Sequence, residues 1–137
     1  MSQTNLQSEI VDVDKNDVQI FTFLTNLNNF EKLMPEEVSQ WQSTETECSF
    51  TLKGMPSIGF TIIEKMPYST IKYKGTGKIP PIFLSVKIQK TAETSCKVQL
   101  FLEADLNPML KMMVEKPLTK FLNVLASNLN KISTHIV

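Results

Sequence analysis

Between Val38 and Leu106 apolar and polar residues alternate with a period of two. Cys48, Phe50 and Leu52 interleave with Ser49, Thr51 and Lys53, and Ile58, Phe60 and Ile62 with Gly59, Thr61 and Ile63. Ile71 and Tyr73 stand between Thr70, Lys72 and Lys74. Ile82, Leu84, Val86 and Ile88 then alternate with Phe83, Ser85, Lys87 and Gln89. Cys96, Val98, Leu100, Leu102, Ala104 and Leu106 keep the same rhythm to the end of the stretch. Such alternation predicts antiparallel strands with one dry and one wet face. The connections STETE, KGMPS, KMPYST and KTAETS are hairpin-length, so the middle of the chain reads as a strongly curved meander of five or six strands. The segment KGTGKIPPI, rich in glycine and proline, suits neither ladder nor helix and is expected to be a loop.

On both sides the period becomes helical. LQSEIVDVD is extended in character and leads to Asp14, a candidate cap for a helix starting at Lys15, with Asp17 completing an approximate capping box. That helix carries Val18, Phe21 and Leu24 on one stripe, with Ile20, Phe23 and Leu27 beside it. A second short helix would carry Phe30, Leu33 and Met34 and stop at Pro35. After Leu106, Asn107 is a candidate N-cap and Pro108 suits the first helical position. Leu110, Val114, Leu118, Phe121, Leu125, Leu129 and Ile132 then recur every three or four residues, predicting one helix over Pro108–Thr134. Pro117 falls inside it and is expected to bend it near Met113 or divide it in two.

Composition narrows the function classes. The 137 residues, 42% hydrophobic and 20% charged, fit one globular domain spanning 1–137. No apolar run approaches the ~20 residues that cross a bilayer. The N-terminus MSQTNLQSEI has no signal-peptide character, so a cytoplasmic location is expected. Fourteen acidic residues balance fourteen basic ones, and every basic residue is lysine. With no net field and no arginine fork for phosphate or guanine, a nucleic-acid partner is not expected. Cys48 and Cys96 lie among apolar neighbours and read as buried small hydrophobes.

The order strand, helix, short helix, antiparallel meander, long C-terminal helix resembles the START/SRPBCC superfamily, which includes Bet v 1-like and polyketide cyclase-like proteins. The resemblance rests on VDVDKNDVQIFTFLTNLNNFEKLMP, residues 11 to 35, and on IIEKMPYSTIKYKGTG, residues 62 to 77. The chain looks like one of the superfamily's small bacterial members. The resemblance implies an α+β helix-grip fold: a curved antiparallel sheet of six to seven strands wrapped around a long C-terminal helix, with two short helices after the first strand. It also implies a cavity between sheet and helix for lipids, polyketides or aromatic molecules.

On that expectation Phe30 and Met34 would line the cavity from the short helix, and Phe60, Ile62, Tyr73, Leu84 and Leu100 from the sheet. Met109, Met112 and Met113 would form an adaptable wall, since methionine is flexible and polarizable. Glu64 falls on the face of Ile58, Phe60 and Ile62. It is either a polar group in the cavity, an acid or base if buried, or a strand-end residue reaching water.

Little else points to chemistry. His135 is the sole histidine and reads as a solvated residue at a fraying end. No metal-ligand spacing or phosphate loop is present, so neither metal nor cofactor is expected. Trp41 is expected to cover the short helix, and Phe83 and Phe101 fall on the wet face. The leading expectation is a non-enzymatic binder of a small hydrophobic or amphipathic molecule. The alternatives are a cyclase, aromatase or dehydratase using Glu64, Tyr73 and Thr61, and a protein-binding module. No catalytic residue is assigned.

Overall fold

The computed structural model describes residues 2–77 and 81–132. His135 and Thr134 lie outside them. The elements are β1 (Ser2–Gln7), β2 (Val11–Val13), α1 (Asp17–Leu24), a 3-10 helix (Leu27–Leu33) and β3 (Val38–Ser43). There follow β4 (Glu47–Leu52), β5 (Ser57–Met66), β6 (Thr70–Gly77), β7 (Ile82–Ala92), β8 (Ser95–Leu106) and α2 (Pro108–Ile132). Eight antiparallel strands form one sheet in the order β1-β8-β7-β6-β5-β4-β3, with β2 also on β8. The eighth strand arises because the expected first strand is two. β1 pairs with Phe101–Leu106 and β2 with Cys96–Val98. Ser8 bridges the break: its N–H donates to the Leu100 carbonyl at 2.9 Å, and its hydroxyl accepts from the Leu100 N–H at 3.0 Å.

The apolar stripes read from the sequence form the core. Cys48, Phe50 and Leu52, then Ile82, Leu84, Val86 and Ile88, then every second residue from Cys96 to Leu106 are buried. Two local readings change. The cap of α1 is Asn16, not Asp14: Asn16 Oδ1 accepts from the Gln19 N–H at 2.8 Å, and Gln19 Oε1 accepts from the Asn16 N–H at 3.1 Å. The glycine-rich segment after Tyr73 is ladder as far as Gly77, with Gly75 opposite Phe60 and Gly77 opposite Ile58. Gly75 is needed there because the Ile82 side chain occupies the space a Cβ would take.

Helix α2 starts as expected. Asn107 Oδ1 accepts from the Leu110 N–H at 2.9 Å, and the Asn107 carbonyl accepts from Lys111 at 3.0 Å. It is one helix through Pro117 rather than two. Its burial is uneven: Leu118, Phe121, Leu122, Leu125, Ala126 and Leu129 are buried, while none of residues 108–117 is. The rear of α2 is tied down by side-chain amides. Asn123 Oδ1 accepts from the Glu9 N–H at 2.8 Å, Asn128 Nδ2 donates to the Leu33 carbonyl at 2.8 Å, and Asn130 Nδ2 donates to the Asp12 carbonyl.

Candidate functional site

The inner face of the sheet and the buried side of α2 meet in a packed aromatic column. Trp41 stacks on Phe50 (5.8 Å between ring centroids), and Phe50 on Phe121 of α2 (5.6 Å). Phe60 flanks Phe50 at 6.3 Å. Trp41 therefore packs over Phe50. Its indole N–H donates to Ser43 Oγ at 3.2 Å, and that hydroxyl donates to Asn28 Oδ1. Phe60, Leu84 and Leu100, expected to line a cavity, lie on the inner face of the grip. All three are buried, as is Phe30.

Tyr73 has a structural assignment. It is fully buried, its ring meets Phe30 edge-on at 5.4 Å, and its hydroxyl donates to the Leu24 carbonyl at 2.7 Å. Leu24 is the last residue of α1, so this bond satisfies one of the carbonyls that a helix end leaves unpaired. Burial pushes the Tyr73 phenol well above its usual pKa, and it pushes the Cys48 and Cys96 thiols up to about 11. These groups stay neutral at physiological pH.

Glu64 is corrected. The β5–β6 register shifts between Ile62 and Glu64, so Ile62 faces Tyr73 while Glu64 pairs with Lys72 instead of continuing the inward alternation. Glu64 is exposed and half of Ile63 is too, so no carboxylate enters the core here. Thr61 Oγ1 donates to the Thr46 carbonyl at 3.3 Å in an exposed position. Glu64, Tyr73 and Thr61 thus do not converge on one space.

The methionines sit differently from the expected wall. Met109, Met112 and Met113 are 72%, 83% and 65% exposed, on the part of α2 where no side chain is fully buried. Met34 and Ile62 are half-buried against the core, and so are Leu110 and Val114 beneath the front of α2. Where that front part meets the rest, at Pro117, a cleft of about 190 Å³ opens between α2 and the end of the β3–β4 pair. Pro35, Leu52, Pro117, Phe121 and Val124 line it, with Glu37 and Lys120 at its rim. The rim charges form an exposed ion pair at 3.6 Å, weak enough to part. A larger groove of about 840 Å³ follows the outward side of α2 from Met112 to Lys131. It is open and lined mainly by Glu115, Lys116, Lys120, Asn123 and Asn128, which suits it poorly to an apolar molecule.

One polar group escaped the sequence reading. Thr4 is 2% exposed, and its hydroxyl has no hydrogen-bond partner among the described residues. Alternation with Leu6 was the signal that it faces inward.

Compared with solved structures, the chain is similar along nearly its whole length to several proteins of one architecture. Norcoclaurine synthase from Thalictrum flavum matches at a TM-score of 0.71 and 13% identity, over 97% of this chain and 87% of that one. A START superfamily protein from Mycobacterium smegmatis matches at 0.69 and 11%, over 97% of each chain. The solution structure of KanY protein matches at 0.75 and 12%, over 98% of this chain and 99% of that one. The fold is the START/SRPBCC helix-grip. At these identities the helix-grip likeness concerns architecture alone. No protein-family model matches the sequence, and no curated protein does.

Within the helix-grip frame the remaining features can be placed. Among the described residues no helix is long and apolar enough to cross a membrane, and no cluster of three or more His, Cys, Asp or Glu is placed to hold a metal. On the outer face Lys72 lies 5.0 Å over the Phe83 ring and Lys87 4.9 Å over Phe101, so both rings are capped by cations. That arrangement gives the two aromatics a role on the sheet surface without a docking partner.

Proposed function

We propose that this protein binds a small hydrophobic or amphipathic molecule between the sheet and the front of α2. One observation carries the reading: no side chain of residues 108–117 is fully buried, only Leu110 and Val114 pack in part against the core, and Pro117 lines the cleft. A helix fully buried only along its rear can move its front at the cost of the partial Leu110 and Val114 contacts. The methionines exposed there supply adaptable apolar surface at the mouth. The fold supports the same reading, since its structural neighbours are START/Bet v 1-like proteins, which bind hydrophobic ligands. Norcoclaurine synthase itself was solved in complex with dopamine and hydroxybenzaldehyde, both aromatic molecules. The Phe30, Phe60, Leu84 and Leu100 side chains then form the floor beneath the ligand, and Met109, Met112 and Met113 its mouth.

Binding without catalysis is the form this proposal takes, because Glu64, Tyr73 and Thr61 do not face a common space. The test is solvent extraction of the purified native protein followed by mass spectrometry, with a denatured and refolded sample as control. A near-stoichiometric apolar compound in the native sample alone is the expected result. An empty extract, together with no saturable uptake of added naphthalene, refutes the reading.

A further inference from the structure

Thr4 is the polar group in the buried face whose chemistry nothing else uses. Two hydrogen bonds fix its place relative to α2. Glu9 meets Asn123 and Asp12 meets Asn130, so the β1–β2 run and α2 proceed in the same direction. From Glu9 back to Thr4 the strand covers roughly 17 Å at about 3.3 Å per residue, which equals about eleven helical residues. Thr4 therefore lies beneath α2 near Met112, under the segment whose packing on the core is limited to the half-buried Leu110 and Val114. Its register neighbour is Ala104, and Ala104 in turn faces Ile82. A buried hydroxyl without a partner is costly to keep in a core. Beside the small Ala104, it is a group waiting for a hydrogen bond from outside the chain.

Resting on the proposed binding function, we infer that Thr4 is the polar anchor of the ligand site. The ligand is an uncharged apolar molecule carrying one hydroxyl or carbonyl, which pairs with Thr4 Oγ1. The charge state follows from the surroundings: among the described residues the buried polar side chains are those of Thr4 and Ser8, and no buried side chain is charged. A carboxylate or ammonium there would be left unpaired in an apolar setting. Ser8 is not available, since its hydroxyl donates to the Glu9 carbonyl at 2.8 Å and accepts from Leu100. Entry requires the front of α2 to swing outward, and Pro117 is the pivot, because it has no N–H to bond the Met113 carbonyl.

The test uses the matched probes 2-naphthol and naphthalene, measured by equilibrium dialysis against the wild-type protein, Thr4→Val and Thr4→Ser. Thr4→Val keeps the shape and removes the hydroxyl. It should weaken 2-naphthol about three- to tenfold, the size of one hydrogen bond, and leave naphthalene unchanged. Thr4→Ser should keep the wild-type ratio. Equal effects on both probes, or none on either, overturn the anchor while leaving apolar binding intact. Failure of the wild-type protein to bind either probe removes the binding function and the anchor with it.

Discussion

Replacing Tyr73 by Phe separates a structural tyrosine from a ligand-binding one. The change removes only the hydroxyl, keeping the ring and its edge-on contact with Phe30. The lost bond, 2.7 Å to the Leu24 carbonyl, is fully buried and ends α1. A typical hydrogen bond contributes ~1 kcal/mol net, but removing one partner and stranding a buried carbonyl costs ~1–3 kcal/mol. The expected loss is therefore about 2 kcal/mol. At ~2.1 cal/mol/K per residue, unfolding a chain of 137 residues carries about 0.29 kcal/mol/K of entropy. Tm should then fall by about 7 °C in a thermal melt followed by far-UV circular dichroism, with naphthalene affinity unchanged. A fall under ~2 °C, or lost affinity at unchanged Tm, would show that the hydroxyl serves a ligand rather than the helix end.

Thr4→Val should do the opposite and raise stability by about 1 kcal/mol in urea unfolding, because it deletes a buried hydroxyl with no partner; a destabilised variant would mean that the hydroxyl is bonded. Dilute peroxide should convert Met109, Met112 and Met113 to sulfoxides before the half-buried Met34 and Met55, as read by peptide mass spectrometry. Equal rates across all five would contradict the exposed front of α2. Burial raises the Cys48 and Cys96 thiols from 9.0 to about 11, so the unfolded chain loses these protons first. Their contribution is fully present below pH ~9 and is lost as pH rises toward ~11, at up to about 1.4 kcal/mol per pH unit for each thiol. The urea midpoint should fall between pH ~9 and ~11, and less steeply in Cys48→Ala; a flat midpoint would refute buried thiols.

Most of the architecture was legible because burial on one face imposes strict alternation. From Ile82 to Ile88 and from Cys96 to Leu106 each inward residue is apolar, and the inward face could be read directly. Alternation failed at Glu64 because a bulge inserts a residue where Ile62 and Ile63 are both apolar, so nothing in the sequence marks the slip. The cap of α1 was obscured by Asp14, Asn16 and Asp17 lying together; only Asn16 has a glutamine three positions on to complete the reciprocal pair. The methionine cluster was expected to form a cavity wall, yet the inward stripe of α2 is Leu110, Val114, Leu118 and Phe121, and Met109, Met112 and Met113 lie off it and are exposed. Thr4 was legible in principle from its alternation with Leu6. Its missing partner is a three-dimensional fact that no spacing rule contains.

Methyl-resolved NMR titration with 2-naphthol tests the central claim most directly. Saturable shifts are predicted at Leu6, Leu106, Leu110 and Val114, around Thr4 and under the front of α2, while Leu129 and Ile71 at the packed end stay unmoved. No saturable shift, or shifts spread evenly over the core, would contradict a ligand site between the sheet and the front of α2.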